Sequence, residues 1–148
     1  MARSIDYRAH LIGLSLLIAG AVLLNAGQGN SHDPASRSFN VAEVDVIKAK
    51  ELLEAGATFI DVRSKEAFVN GHVIGALAIP LSELRSAIAA KLAIDHTKPI
   101  VIYCGDGIAT GPEGTYVMNP AGFAAAVNLK GGIESWNSHG LPTAKGLS

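Results

Sequence analysis

Four short apolar runs rich in β-branched residues constrain this chain most: Phe59–Val62, Ala76–Pro80, Ile100–Cys104 and Ala126–Leu129. Continuous apolar runs of this length suit strands buried on both faces of a sheet. Helical patterns lie between them. Val41–Ala55 carries Val44, Ile47, Leu52 and Leu53, and Gly56 stands where a C-cap glycine belongs. Leu81–Leu92 sets Leu84, Ile88 and Leu92 on one helix face, with Ser82 as its expected N-cap. Alternating strands and helices predict an α/β fold built on a largely parallel sheet. The 148 residues suffice for one domain with a real core. In such sheets ligands bind beyond the carboxyl ends of the strands.

A different composition precedes this pattern. Arg3 and Arg8 lead into an apolar run from Leu11 to Leu24, broken only by Gly13, Ser15 and Gly20. A basic segment before an apolar one is the layout of a secretory signal peptide. The run, extended to residues 11–26, falls between the length of a signal core and that of a membrane span. Residues 1–27 are therefore expected to be a signal peptide or a membrane anchor. Either places the remainder outside the cytoplasm, in a periplasmic or similar compartment, soluble after cleavage or tethered by its N-terminus. Residues 28–38, QGNSHDPASRS, read as a flexible linker in which His32 and Asp33 are solvated rather than metal ligands. Residues 39–148 form the expected domain.

Charge and cysteine content narrow the function classes. A net charge of −1 argues against a nucleic-acid partner. The single cysteine excludes an intramolecular disulfide framework and a multi-cysteine zinc site. That cysteine, Cys104, closes the run Ile100–Cys104 and is followed by Gly105-Asp106-Gly107. A parallel sheet puts its active site at such a strand end. The two glycines let the backbone curl so that N–H groups of Gly105, Asp106, Gly107, Ile108, Ala109 and Thr110 converge as an anion nest. A following helix adds positive potential at its N-terminus, and both effects favour a thiolate or an anion bonded to it. A lone cysteine is also often just a small buried hydrophobe.

The surrounding residues resemble the rhodanese homology domain. Asp61-Val62-Arg63, Glu66, Phe68, Gly71-His72-Val73-Ile74-Gly75-Ala76 and Ile79-Pro80 carry the first half of the resemblance. Val101-Ile102-Tyr103-Cys104, Asn128-Leu129-Lys130-Gly131-Gly132-Ile133, Trp136 and Gly140-Leu141-Pro142 carry the second. The pieces run in order from about Phe39 to Pro142. The resemblance implies a five-stranded parallel sheet flanked by helices on both faces. It also implies sulfurtransferase chemistry through a persulfide on Cys104, with no metal and no organic cofactor. Asp61 and Arg63 take the family's strand-end positions as supporting residues, with Arg63 expected to pair with Glu66 and brace the loop. His72 is expected to be a satisfied structural residue, and Trp136 to be core packing beside the site.

One departure bears on substrate. Active members commonly carry a basic residue in or closing the loop after the cysteine. Here that position is Ala109 or Thr110, no arginine follows Arg85, and the next basic residue is Lys130. Asp106 instead sets a negative charge beside the thiol, which opposes a dianionic donor. Thr110 can still offer a hydroxyl. The expected function is transfer of sulfane sulfur from a small donor (thiosulfate, polysulfide or a thiol persulfide) to cyanide or a thiol acceptor. The alternative is a catalytically weak binding, sensing or sulfur-carrier module. Phosphatase or arsenate reductase chemistry, which uses a loop arginine, does not fit.

Overall fold

The computed structural model describes residues 38–147. The expected leader and linker, His32 and Asp33 included, lie outside the described residues apart from Ser38. Among the described residues no helix is long and apolar enough to cross a membrane.

The centre of the domain is β5 (Ile100–Tyr103), buried at all four positions. It pairs in parallel with β2 (Thr58–Asp61) on one side and β6 (Ala126–Leu129) on the other. Two short edge strands, β4 (Leu77–Ala78) and β1 (Glu43–Val44), complete a five-stranded sheet in the order β1-β6-β5-β2-β4. Every pairing in it is parallel. Strand side chains alternate between faces, so the sheet feeds two cores. Phe59, Val101 and Tyr103 face one way and join Val46, Phe68, Ile133 and Trp136. Ile60, Ile100, Ile102 and Cys104 face the other way and join Leu84, Val117 and Met118. Fully buried Trp136 meets Phe59 edge-on at 5.7 Å, and its indole N–H donates to the Pro142 carbonyl at 3.0 Å. Truncating such a side chain to alanine costs about 4 kcal/mol.

The helices start and stop for local reasons. Helix α1 spans Val46–Glu54, later than the pattern over Val41–Ala55 predicts. Asp45 caps it by accepting from the Lys48 N–H at 2.8 Å, and the preceding Glu43 and Val44 are drawn into pairing with Asn128 and Leu129. Gly56 ends α1 as expected, with φ of 85° and its N–H on the Leu53 carbonyl. Helix α2 (Lys65–Asn70) is capped by Ser64 and leads into β3 (His72–Val73). Helix α3 spans Leu81–Ala89, begins directly after Pro80 and has no side-chain cap. Ser82 therefore lies within α3 and caps nothing, a correction to the predicted start. Leu84 is nonetheless fully buried, and Ile88 and Leu92 pack against the same core.

Helix α4 (Thr110–Met118) is rich in weak helix formers and is held by packing rather than propensity. Pro112 sits in its first turn, where the missing N–H costs little. A Cβ on Gly114 would lie 3.2 Å from both Ile102 and Val62, so the bare glycine brings the helix axis close to the sheet. A 3-10 turn at Asn119–Ala121 contains Pro120 and follows α4 directly. Helix α5 (Gly132–Ser138) follows β6, and β7 (Thr143–Ala144) runs antiparallel to β3, a small second sheet the apolar runs do not predict.

Candidate active site

Cys104 follows β5 on the α4 face of the sheet and is 3% exposed. Its Sγ accepts the Gly107 N–H at 3.2 Å. On the other side the Asp106 carboxylate stands 3.7 Å from Sγ, within reach of the thiol proton. The same Oδ1 accepts the Ile108 N–H at 3.0 Å. The expected ring of donors is thus only partly aimed at sulfur. One N–H reaches Sγ, and a second is taken by the loop's own acidic side chain. The N–H groups of Gly105, Asp106, Ala109 and Thr110 have no protein acceptor among the described residues. Asp106, Ile108, Ala109 and Thr110 are exposed, Ile108 to 76%.

The loop is held by its backbone. The carbonyls of Cys104 and Gly105 accept the N–H groups of Ile133 and Glu134 at 3.0 Å each, so the first turn of α5 caps the loop from below. This needs close approach. A Cβ on Gly132 would stand 2.4 Å from the Gly105 carbonyl oxygen and 2.5 Å from that of Cys104. Gly107 has φ of 75°, and a Cβ there would meet the Gly131 nitrogen and Leu129 oxygen at 2.6 Å.

Asn128 completes the site and was not among the residues singled out from the sequence for a role. It is fully buried in β6, and its amide nitrogen donates to the Gly107 carbonyl at 3.0 Å and to the Glu43 carboxylate at 2.7 Å. Two acceptors fix which end of the amide is nitrogen. Its Oδ1 then lies buried with no partner among the described residues. The space a Gly111 Cβ would occupy is 2.4 Å from that oxygen and 3.3 Å from Cys104 Sγ, so both atoms border the same bare helix turn. The available signal was a lone amide in an otherwise apolar strand.

The supporting residues fall elsewhere. Asp61 is buried at the end of β2 and accepts Arg63 Nε at 2.9 Å and Nη2 at 2.6 Å. Arg63 also donates to the Gly71 carbonyl at 2.7 Å and lies 5.9 Å from the Tyr103 ring centroid. Burial works against the guanidinium charge, but the Asp61 carboxylate outweighs it and holds Arg63 above its ordinary range. Glu66 is exposed and takes no part, which corrects the expected Arg63–Glu66 pair. Adjacent Asp61 offers a closer, desolvated carboxylate, and the pair braces the turn before β3 rather than the cysteine loop. Burial, reinforced by the Asp61 charge, holds the Tyr103 phenol far above its usual range, and its oxygen accepts the Val73 N–H at 3.1 Å. His72 is fully buried, stacks on Phe68 at 3.6 Å and bonds the Phe68 carbonyl through Nδ1 at 2.8 Å. Its Nε2 has no partner among the described residues, so among these it is half satisfied rather than fully. Trp136 is core packing as expected, but on the face opposite the Cys104 side chain. Among the described residues no three His, Cys, Asp or Glu side chains gather as a metal site.

This fold and site define a class of protein. Residues 45–139 match the model of the rhodanese-like domain, and the chain belongs to that family. It is 32% identical over 96 residues to the thiosulfate sulfurtransferase GlpE of Stutzerimonas stutzeri, covering 65% of this chain and 84% of that one. It is 36% identical over 80 residues to the uncharacterized protein YqhL of Bacillus subtilis, covering 54% of this chain and spanning only 60% of that protein's length. Among solved structures, the rhodanese-like domain of the Anabaena sp. Alr3790 protein aligns with a TM-score of 0.62 at 27% identity, over 70% of this chain and 78% of that one. The human single-domain sulfurtransferase TSTD1 aligns with a TM-score of 0.55 at 30% identity, over 65% of this chain and 95% of that one.

Proposed function

We propose that this chain is a sulfurtransferase whose nucleophile is Cys104. The observation that carries the reading is the position of Sγ: at the carboxyl end of the central strand, bonded by the Gly107 N–H at 3.2 Å, under a loop with further N–H groups unused. The Cys104 thiolate attacks the sulfane sulfur of a donor such as thiosulfate, polysulfide or a thiol persulfide. The donor's S–S bond breaks, and its remaining part leaves with the electron pair. The new persulfide on Cys104 is held by loop N–H groups, with the Thr110 hydroxyl nearby in sequence as a further donor. Cyanide or a thiolate then attacks the outer sulfur, and the Cys104 thiolate is released. Two easier transfers replace one difficult one, with no metal or cofactor required.

The test is cyanolysis with purified protein and Cys104→Ser, together with intact mass after donor treatment. Thiocyanate release and a mass gain of one sulfur atom by the native chain alone are expected. Neither product with thiosulfate, polysulfide or a thiol persulfide sinks the reading. A second reading, a weak module that binds or carries sulfur, is favoured by Asp106, whose carboxylate takes the Ile108 N–H that an anionic donor would use. Sulfur gain without turnover would select it. For residues 11–26 the proposal is export or an inner-membrane tether. N-terminal sequencing of protein from membrane and periplasmic fractions tests it, and cytoplasmic recovery of the intact chain overturns it.

A further inference from the structure

Beside the Cys104 loop lies a groove of about 550 Å³, a size suited to a small molecule. Its lining includes Asp106, whose Oδ1 is 3.7 Å from Cys104 Sγ, and Gly107, whose N–H donates to Sγ at 3.2 Å. Three charges border it: Glu43, Asp106 and Lys130. None of the three is in an ion pair among the described residues. Phe39, Val41 and Pro112 supply apolar lining. Glu43 is anchored, since one of its carboxylate oxygens accepts Asn128 Nδ2 at 2.7 Å. Asn128 in turn holds the Gly107 carbonyl at 3.0 Å. The groove is thus tied through one buried amide to the residue whose N–H bonds Sγ.

We infer that this groove binds the amino-acid end of a zwitterionic thiol persulfide, with its carboxylate on Lys130 and its ammonium on Glu43 and Asp106. The inference rests on the sulfurtransferase reading and names the donor class within it. A dianion meets two carboxylates against one ammonium here and is disfavoured. A donor carrying both an ammonium and a carboxylate finds a counter-charge for each. The transfer balances: Cys104–S⁻ attacks the outer sulfur of R–S–SH, the S–S bond breaks, R–S⁻ departs with the electron pair, and Cys104–S–SH remains.

The test compares sulfur loading of Cys104 in the full chain by cysteine persulfide, N-acetylcysteine persulfide (no ammonium), cysteamine persulfide (no carboxylate) and thiosulfate. Cysteine persulfide should have a KM about tenfold below either truncated donor, the ratio one good polar contact supplies. Among the three persulfides, Lys130→Ala should raise KM only for the two with a carboxylate, cysteine and N-acetylcysteine persulfide, and Glu43→Gln only for the two with an ammonium, cysteine and cysteamine persulfide. Circular dichroism of both variants checks that the fold is intact. Loading with equal KM for all donors, or variant effects that do not follow the missing group, overturns the subsite alone. No sulfur on Cys104 with any donor overturns the sulfurtransferase reading and the subsite with it.

Discussion

At the carboxyl end of β2 every charge has a partner; at the carboxyl end of β5, one strand away, several polar groups have none. Asp61 and Arg63 satisfy one another and the Gly71 carbonyl, and Tyr103 accepts the Val73 N–H. Around Cys104, four loop N–H groups and the buried Asn128 Oδ1 have no protein partner among the described residues. A closed network stabilises a turn. An open one is a place for a ligand. Both ends carry residues of the family's motifs, but the Asp61–Arg63–Gly71 contacts are closed while the N–H groups around Cys104 are open.

The largest effect that sharpens the comparison is Cys104→Ser, expected to abolish sulfur loading while leaving the urea midpoint nearly unchanged. Asp61→Asn should do the reverse. Removing a buried partner leaves Arg63 uncompensated, at a cost of about 3 kcal/mol in urea unfolding. Gly107→Ala should cost about 2 kcal/mol and also slow loading, because the new Cβ pushes the loop off the β6–α5 turn. If loading survives at the native rate, the Gly107 contact to sulfur is unimportant. Asp106→Asn should lower KM for thiosulfate about tenfold by removing one like charge near the sulfur. An unchanged KM would show that Asp106 does not set donor charge preference. The smallest effect is alkaline. Free tyrosine ionises near pH 10, whereas folded Tyr103 keeps its proton above that pH. Above about pH 10 the unfolded state binds fewer protons, so stability falls as pH rises, by under about 1 kcal/mol at about pH 10.5. Tyr103→Phe should remove this component of the slope, read from urea midpoints at rising pH.

Much of the fold was legible because β2, β5 and β6 are buried on both faces, and burial writes itself as an unbroken apolar run. Glu43 and Val44 were not legible. Two edge residues leave no periodic trace, and their pairing with Asn128 and Leu129 is fixed by tertiary contact. The position of Cys104 was readable, since a cysteine followed by glycines at a strand end has few structural uses. Asn128 was harder. Its role depends on meeting Gly107, 21 residues away in sequence, and Glu43, 85 residues away. The partner of Arg63 was misread for the opposite reason. Glu66 looked suitable by motif, while Asp61 has the better geometry two residues back.

The cysteine loop hangs from the main-chain N–H groups of Ile133 and Glu134, and these grip carbonyls that every amino acid carries. The clamp is therefore blind to what the exposed side chains at 106, 108, 109 and 110 happen to be. Mutation can rewrite those four letters with little penalty to folding, so a lineage can exchange an arginine for an alanine, or admit an aspartate, and try new donors on an unaltered frame. Conservation of glycine beneath the loop, and freedom above it, is the evolutionary signature this architecture should leave.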